Sequence, residues 1–186
     1  MILIGGQFKG RHLKSPKGTA TRPTTAILRK TVFDICREHV DHAHFLDLFA
    51  GSGAMGLEAL SRGATHATFI DQDIHALRCL KENIALLKLE KQCNVIKGNA
   101  LSLLKRLKGP FDIIYVDPPY GQIPLDELLL FFDTSTLLAE GDLLFLEEAS
   151  PSSQHLDKVV LDRLIHKDTR KCGKSLLHQF TISYQS

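Results

Sequence analysis

The chain has 186 residues and a net charge of +2, and 44% of its residues are hydrophobic. We expect residues 1–186 to form one domain with a buried core, and no stretch approaches the roughly 20 apolar residues of a membrane span. The first six residues lack a basic start followed by a long apolar core, so we expect a cytoplasmic protein without a signal peptide. The four cysteines form no CxxC pair and the nine histidines are dispersed, so we expect no metal site.

Charge is distributed unevenly along the chain. Residues 1–33 contain seven Lys or Arg and no acid, whereas residues 34–150 contain ten basic and eighteen acidic residues. Glycine and proline breaks in residues 1–23 favour a small β-hairpin or extended arm, and its basic character is typical of a surface that binds a polyanion. A merely solvated surface is the alternative. The candidate phosphate contacts are Lys9, Arg11, Lys14 and Arg22.

Short apolar strands alternate with helices through residues 26–150. Five such strands, each separated by one helix, predict a parallel sheet covered by helices on both faces. Two further strands, at about 159–167 and 175–184, follow one another without a helix, so they predict an antiparallel hairpin at the end of an α/β sheet of seven strands. The predicted strands are 44–49, 67–71, 93–97, 111–116 and 142–147, and the predicted helices are about 26–39, 54–62, 73–88, 100–107 and 125–132.

A glycine-rich loop follows the first predicted strand. Gly51, Gly53 and Gly56 fit the GxGxxG spacing, and Asp71 ends the next strand about twenty residues further on. In open α/β sheets, ligands bind at the carboxyl ends of the strands near this point. The glycines alone match a dinucleotide site, so an NAD-dependent oxidoreductase is a real alternative.

Other residues favour a different nucleoside cofactor. Asp47, four residues before Gly51, would oppose a pyrophosphate but could help to hold a cationic amine. The chain after the fifth strand leaves no room for a substrate domain. Asp71 could bind ribose hydroxyls and Asn99 could meet an adenine edge, which together suit S-adenosylmethionine. The candidate cofactor contacts are Asp47, Phe49, Gly51, Ser52, Gly53, Gly56, Asp71, Asn99 and Ala100.

Structural roles are open for the same polar residues. Asp71 could cap the following helix, although Asp73 is the better candidate for that position. Asn99 could be a turn residue, and Asp47 could be a turn carboxylate.

The fourth predicted strand ends in Asp117-Pro118-Pro119-Tyr120. Proline has no N–H for a sheet and restricts the residue before it, so the strand stops there. Asp117 and the carbonyl of Pro118 could accept hydrogen bonds from an amino group on a flat ring, and Tyr120 could stack on that ring. A plain turn with a buried tyrosine is the alternative. The candidate catalytic residues are therefore Asp117, Pro118, Pro119 and Tyr120.

Several segments together resemble a known family. Two of them are the glycine-loop run Leu46-Asp47-Leu48-Phe49-Ala50-Gly51-Ser52-Gly53 and the tetrad Asp117-Pro118-Pro119-Tyr120. Two more lie near the N-terminus, Ile4-Gly5-Gly6-Gln7-Phe8-Lys9-Gly10-Arg11 and Arg22-Pro23-Thr24-Thr25. Together these segments resemble the bacterial 16S rRNA guanine-N2 methyltransferases of the RsmD type. The loop and tetrad specify only an amino-methyltransferase, and the N-terminal segments point to this family.

The resemblance implies a class I, Rossmann-like methyltransferase fold and S-adenosylmethionine as the methyl donor. It implies methylation of one guanine N2 in 16S rRNA within a small-subunit particle, with Asp47, Gly51, Ser52, Gly53 and Asp71 at cofactor positions and the tetrad at the target base. Two positions depart from the family pattern, because Asp71 stands where Glu is frequent and Asn99 where Asp is frequent.

Two other functions stay open beside this one. The first is another amino-methyltransferase, which would act on adenine N6 in DNA or RNA. The second is a non-catalytic RNA-binding assembly factor that keeps the fold. The sequence does not identify the target nucleotide.

Overall fold

A computed structural model describes residues 1–16, 26–151, 156 and 159–183. It contains a seven-stranded sheet with helices on both faces, which confirms the predicted fold class. The strands are β1 (His44–Leu48), β2 (His66–Asp71), β3 (Cys93–Lys97), β4 (Ile113–Val116), β5 (Leu143–Ala149), β6 (Leu164–Cys172) and β7 (Ser175–Ile182). The helices are α1 (Ala26–Ile35), α2 (Ala54–Ser61), α3 (Ile74–Leu87), α4 (Ala100–Leu104) and α5 (Leu125–Thr134).

The strands lie in the order β3-β2-β1-β4-β5-β7-β6. Neighbours among β1 to β5 pair in parallel, whereas β7 runs antiparallel to both β5 and β6. The strand order reverses at β1, so its carboxyl end lies at the switch point where a ligand is expected.

Apolar side chains fill both faces of the sheet. One buried cluster joins α1, α2 and α3 to the sheet through Val32, Leu57 and Leu80. The other joins α4 and α5 through Leu104 and Leu128. The central strands are buried on both sides, which is why they read as continuous apolar runs in the sequence.

Three elements have boundaries that differ from the sequence prediction by three residues or more. Helix α4 ends at Leu104 rather than at about 107. Helix α1 ends at Ile35, four residues earlier than expected, and turns follow it. Strand β6 begins at Leu164 and extends to Cys172, so the predicted strand at 159–167 was displaced by about five residues. Val159, Val160 and Leu161 are apolar but lie before the strand. The real β6 is an edge strand whose polar side chains face solvent, so it has no apolar alternation to detect.

Residues 1–16 form a folded-back arm. A single antiparallel bridge joins Ile2 to His12, and the main chain of Leu3 bonds to both Gly10 and Arg11. Leu3 and Leu13 are buried in the cluster that contains α1, α2 and α3. The arm therefore packs on the sheet domain, and its strand pairing is limited to one bridge rather than a regular hairpin.

Candidate active site

Three adjacent strands end together at the carboxyl edge of the sheet. Leu48 at the end of β1 pairs with Ile70 on one side and with Val116 on the other. The next residues of the outer strands are Asp71 and Asp117, so these two acids flank the loop that leaves β1. Because neighbouring strands lie about 4.8 Å apart, the two strand ends are about 10 Å apart. The register thus brings the predicted cofactor residues and the predicted target tetrad to one edge.

The glycine loop turns sharply between β1 and α2. Gly51 has a φ of +55° and Gly53 a φ of +85°, in the left-handed region that L side chains disfavour. A side chain added at Gly51 would meet open space, whereas one added at Gly53 or Gly56 would collide with Leu80 or Phe69. Gly51 therefore leaves an open face to a ligand, and the other two glycines allow α2 to pack closely.

Asp71 holds the glycine loop from the neighbouring strand. Its Oδ2 accepts a hydrogen bond from the N–H of Gly51 at 2.7 Å, and its Oδ1 accepts from the N–H of Asp73 at 2.8 Å. Asp73, not Asp71, caps α3 by accepting from the N–H of His75. A carboxylate can accept about four hydrogen bonds, so Asp71 retains capacity for two ribose hydroxyls.

Asp47 is buried beneath the loop, with 2% of its surface exposed. Its Oδ2 accepts from the N–H of Gly56 at 2.9 Å and so holds the first turn of α2. Burial raises the pKa of Asp47 to about 8, against the lowering effect of the Gly56 N–H and with a further rise from Asp71. The structure therefore shows this carboxyl supporting the start of α2, and its contact with a cofactor amine stays a prediction.

Asn99 takes up the structural role that the sequence left open. Its Oδ1 accepts from the N–H of Ser102 at 3.1 Å and from the Ser102 hydroxyl at 3.2 Å, so it caps α4. With that oxygen occupied, an adenine contact would have to use the amide nitrogen as a donor. Ala100 is buried behind this cap, while Phe49, with a φ of +60°, begins the loop on the other side.

The tetrad continues from β4 into an exposed turn. The N–H of Asp117 bonds to the carbonyl of Leu48 at 3.4 Å, and Asp117 itself is half-buried. Pro118 is buried, whereas Pro119 and Tyr120 are exposed. Across the two rigid prolines the chain therefore passes from the sheet core to the surface. The carboxylate of Asp117 precedes them and the ring of Tyr120 follows them.

Two residues that the sequence analysis missed anchor the tyrosine. The hydroxyl of Tyr120 donates to Glu147 Oε1 at 2.9 Å and lies 3.1 Å from the hydroxyl of Ser175. Glu147 lies near the end of the buried part of β5 and Ser175 begins β7, far from the tetrad in sequence. An acid at the end of an apolar strand was the available signal for Glu147, and nothing in the local sequence identified Ser175.

The arm meets the same region through α3. The amide of Asn83, which is fully buried, bonds to both the N–H and the carbonyl of Lys14 and donates to the carbonyl of Ser52. Lys9 and Arg11 are exposed, and the ammonium group of Lys14 pairs with Glu82 at 2.7 Å. Arg22, the fourth predicted phosphate contact, lies outside the described residues. The visible arm thus ends beside the glycine loop.

Several other features bear on the choice of site. Within the described ranges, no helix is long and apolar enough to cross a membrane. No cluster of metal-binding side chains occurs in that part of the chain. A depression at the opposite edge of the sheet is lined by residues such as His44, His66 and Arg106, and it lies away from every predicted site residue. We therefore locate the site by the chemistry of the carboxyl edge.

The chain is similar to known proteins over most of its length. The family described as Conserved hypothetical protein 95 matches residues 1–181. Ribosomal RNA small subunit methyltransferase D of Escherichia coli strain K12 is 40% identical over 145 residues, which cover 78% of this chain and 73% of that protein. The solved structure of yhhF from Escherichia coli is 33% identical, with a TM-score of 0.85 over 100% of this chain and 99% of that one. A structure of the Thermus protein TTHA0928 is 31% identical, with a TM-score of 0.79 over 96% of this chain and 98% of that one.

Proposed function

We propose that this chain, which belongs to the Conserved hypothetical protein 95 family, the RsmD family, transfers a methyl group from S-adenosylmethionine to the N2 of a guanine in 16S rRNA. Membership confirms the resemblance first seen in the loop, the tetrad and the arm. A relative named as a small-subunit rRNA methyltransferase supports the substrate class. From this substrate class we infer that the reaction takes place in the cytoplasm, on rRNA within a small-subunit particle.

One observation carries this proposal. The strand register puts Asp71 on one side of the glycine loop and Asp117, the first residue of the tetrad, on the other. The separation of about 10 Å between those strand ends leaves room for a nucleoside to lie along the loop and for a base to approach from the tetrad. An oxidoreductase would have no use for a carboxylate, two prolines and a tyrosine at that position.

The loop fits the cofactor. Gly51 leaves an open face where a side chain would otherwise stand, and Asp71 has lone pairs for ribose hydroxyls. When bound, S-adenosylmethionine supplies an electrophilic methyl group on a sulfonium. Gly51 would let the backbone approach it, Asp71 would orient the ribose, and Asp47 would face the aminoacyl end.

The tetrad then orients the nucleophile. The guanine amino nitrogen is weakly nucleophilic because its lone pair is delocalised into the ring. Asp117 and the carbonyl of Pro118 accept hydrogen bonds from the two N–H groups, which localises the lone pair and stabilises the positive charge that develops. Tyr120 stacks on the ring of a guanine that has left its helix. Alignment of the two reacting groups is the main source of rate.

The arm supplies the contacts to the RNA backbone. Among the described residues, Lys9, Arg11 and Lys14 would meet phosphates, which hold the RNA without reading its sequence, and the sequence adds Arg22 as a fourth candidate. Lys14 is already paired with Glu82 on the surface, so phosphate would compete with that carboxylate. Lys9 and Arg11 are therefore the stronger candidates among the described arm residues.

Methyl transfer can be tested directly. The protein is incubated with methyl-labelled S-adenosylmethionine and with undermethylated small subunits, naked 16S rRNA or DNA, and the labelled nucleoside is then mapped. We expect N2-methylguanosine in rRNA and a preference for the subunit particle. Label on adenine N6 would identify a different amino-methyltransferase, and RNA binding without transfer would identify an assembly factor.

A further inference from the structure

A buried carboxylate lies directly behind the target tetrad. Glu147 is 4% exposed, and its two oxygens accept hydrogen bonds from three hydroxyl groups. Oε2 accepts from Tyr115, while Oε1 accepts from Ser175 at 2.6 Å and from Tyr120 at 2.9 Å. Tyr115 is wholly buried, so one side of this network is fixed by the sheet and the other side reaches the surface through Tyr120.

Tyr120 lies in an exposed turn that follows β4. It follows two prolines, precedes Gly121 with a φ of +68°, and belongs to an exposed turn closed by a bond from the N–H of Gln122 to the carbonyl of Pro119. Its ring is 40% exposed. The hydroxyl is thus the point at which this surface ring is tied to β5 and β7.

The hydrogen bond from Tyr120 to Glu147, called the tether below, also suits a ring on which a base stacks. Burial raises the pKa of Tyr120 to about 12, against the lowering effect of the hydrogen bond with Ser175 and with a further rise from the negative charges of Glu147 and Asp117. The hydroxyl therefore stays protonated and donates. Hydrogen bonds from a neutral donor to a carboxylate are stronger than those between neutral groups. A ring already held in place loses less side-chain freedom when a base stacks on it, so pre-organisation favours binding.

We propose that Glu147 is a positioning residue that holds the Tyr120 ring, through its hydroxyl, in the orientation that receives the extruded guanine. This role rests on the proposed function, because it needs a base at the tetrad. Glu147 acts through Tyr120 and touches neither the base nor the cofactor. Ser175 supports the same oxygen from β7, which makes the end of the antiparallel hairpin part of the target site.

A mutant cycle tests this role. The changes Glu147→Gln, which keeps a weaker acceptor, and Glu147→Met, which removes it at similar volume, are each made with Tyr120 and with Tyr120→Phe. We expect kcat/KM for rRNA to fall about tenfold in Tyr120→Phe and in Glu147→Met, and less in Glu147→Gln, with cofactor Kd unchanged. In the Tyr120→Phe background, neither Glu147 change should lower kcat/KM further, because the bond is already lost.

A matched control separates positioning from stability. Asp133 is another buried carboxylate, 4% exposed, and it accepts from the N–H groups of Arg163 and Leu164 at the start of β6. Asp133→Asn should lower Tm in the same range as Glu147→Gln while kcat/KM stays at the wild-type value. Losses that multiply between Glu147 and Tyr120, or Glu147 variants as active as wild type, would overturn the proposal.

The tether can also be measured without a substrate. NMR of ring-labelled tyrosine should find the Tyr120 ring ordered in the wild type and mobile in Glu147→Met. Equal mobility in both proteins would overturn the positioning role even if rRNA is methylated. An ordered ring in a wild-type protein that transfers no methyl group would instead leave the tether intact and remove the proposed function.

Discussion

The two halves of the carboxyl edge are held in different ways. In the half formed by β1, β2 and β3, the acids Asp47 and Asp71 bond to main-chain N–H groups of the segments they support. In the half formed by β4, β5 and β7, Tyr120 and Glu147 bond side chain to side chain across elements distant in sequence. The first half is thus a backbone cradle, a main-chain loop that two acids hold in place. The second half is a surface whose shape depends on contacts between side chains.

This difference suits the two proposed ligands. A cofactor that binds in every cycle benefits from a backbone cradle, because backbone groups keep their positions without ordering any side chain. A base that must leave an RNA helix meets a carboxylate and an aromatic ring, whose identities can select an amino group. If the halves are separate in this sense, changes in one should alter cofactor binding and changes in the other should alter transfer.

The largest effect is expected at Asp117. Asp117→Ala removes the acceptor that orients the target amine, so methyl transfer should fall at least about 100-fold. Cofactor Kd, measured by calorimetry, should stay near the wild-type value because the glycine loop is untouched. A parallel loss of cofactor binding would show that the two halves are not separate.

Asp112 offers a matched control for that change. It precedes β4 at the opposite edge of the sheet, where its Oδ2 accepts from the N–H of His44 at 2.7 Å. Asp112→Ala removes an acid next to the same strand without approaching the tetrad. We expect a small loss of Tm with transfer activity preserved, and a comparable loss of activity would point to distortion of β4.

The next largest effect is expected at Asp71. Asp71→Ala removes both the predicted ribose contact and the bond to the N–H of Gly51, so cofactor affinity should fall about 10- to 100-fold. Asp71→Asn keeps one acceptor of similar shape, so its loss should be smaller. Titration of the cofactor into each variant distinguishes them, and equal affinity in all three proteins would remove the ribose assignment.

A pH effect is expected at Asp47. Its pKa of about 8 lies above the value near 4 of an unfolded carboxyl, so the folded protein holds a proton that the unfolded chain releases. The stability this provides is complete below about pH 4 and is lost as pH rises through 8, by up to about 1.4 kcal/mol per pH unit.

The comparison that isolates this group is Asp47→Asn. An amide can still accept from the N–H of Gly56 but does not titrate. In urea unfolding at pH 5 and pH 8 without cofactor, the variant should lose less stability over this range than the wild type. Identical pH dependence would show that Asp47 does not carry the proton.

The cofactor half was largely predictable from sequence because its signals are local. Gly51 and Gly53 lie on one loop and Gly56 in the helix that follows it. Asp71 ends β2, and Asn99 follows β3 after one residue. At Asp71 and Asn99 the open question was whether the side chain binds a ligand or caps the helix or turn beside it. At Asn99 the helix cap took the amide oxygen, which a single sequence cannot decide.

The target half was only partly predictable because its remaining contacts are long-range. The tetrad can be recognised in the sequence by its two prolines. Glu147 and Ser175, however, bond to Tyr120 from 27 and 55 positions away in sequence. Strand β6 was misplaced for a related reason, since pairing with β7 rather than apolar alternation fixes it. Sequence patterns report what a residue does for its neighbours in the chain, and these residues act on partners in other elements.

The smallest effect is expected in the arm, which serves neither half directly. Lys9→Gln with Arg11→Gln removes two charges from exposed positions, so the slope of log affinity for RNA against log salt should fall by roughly 1.5 to 2. Cofactor Kd should not change, because the Lys14 end of the arm, which Asn83 ties to the glycine loop, is left in place.

The charge-matched control uses Lys105 and Lys108, two exposed lysines at and just beyond the carboxyl end of α4, which packs on the face of the sheet opposite to the arm. Their replacement by Gln changes net charge equally but lies away from the arm, so binding measured by filter retention across a salt series should keep the wild-type slope. If both pairs reduce the slope equally, RNA responds to overall charge rather than to the arm. If neither does, the arm does not contact phosphate, and the target half must hold the RNA by its own contacts.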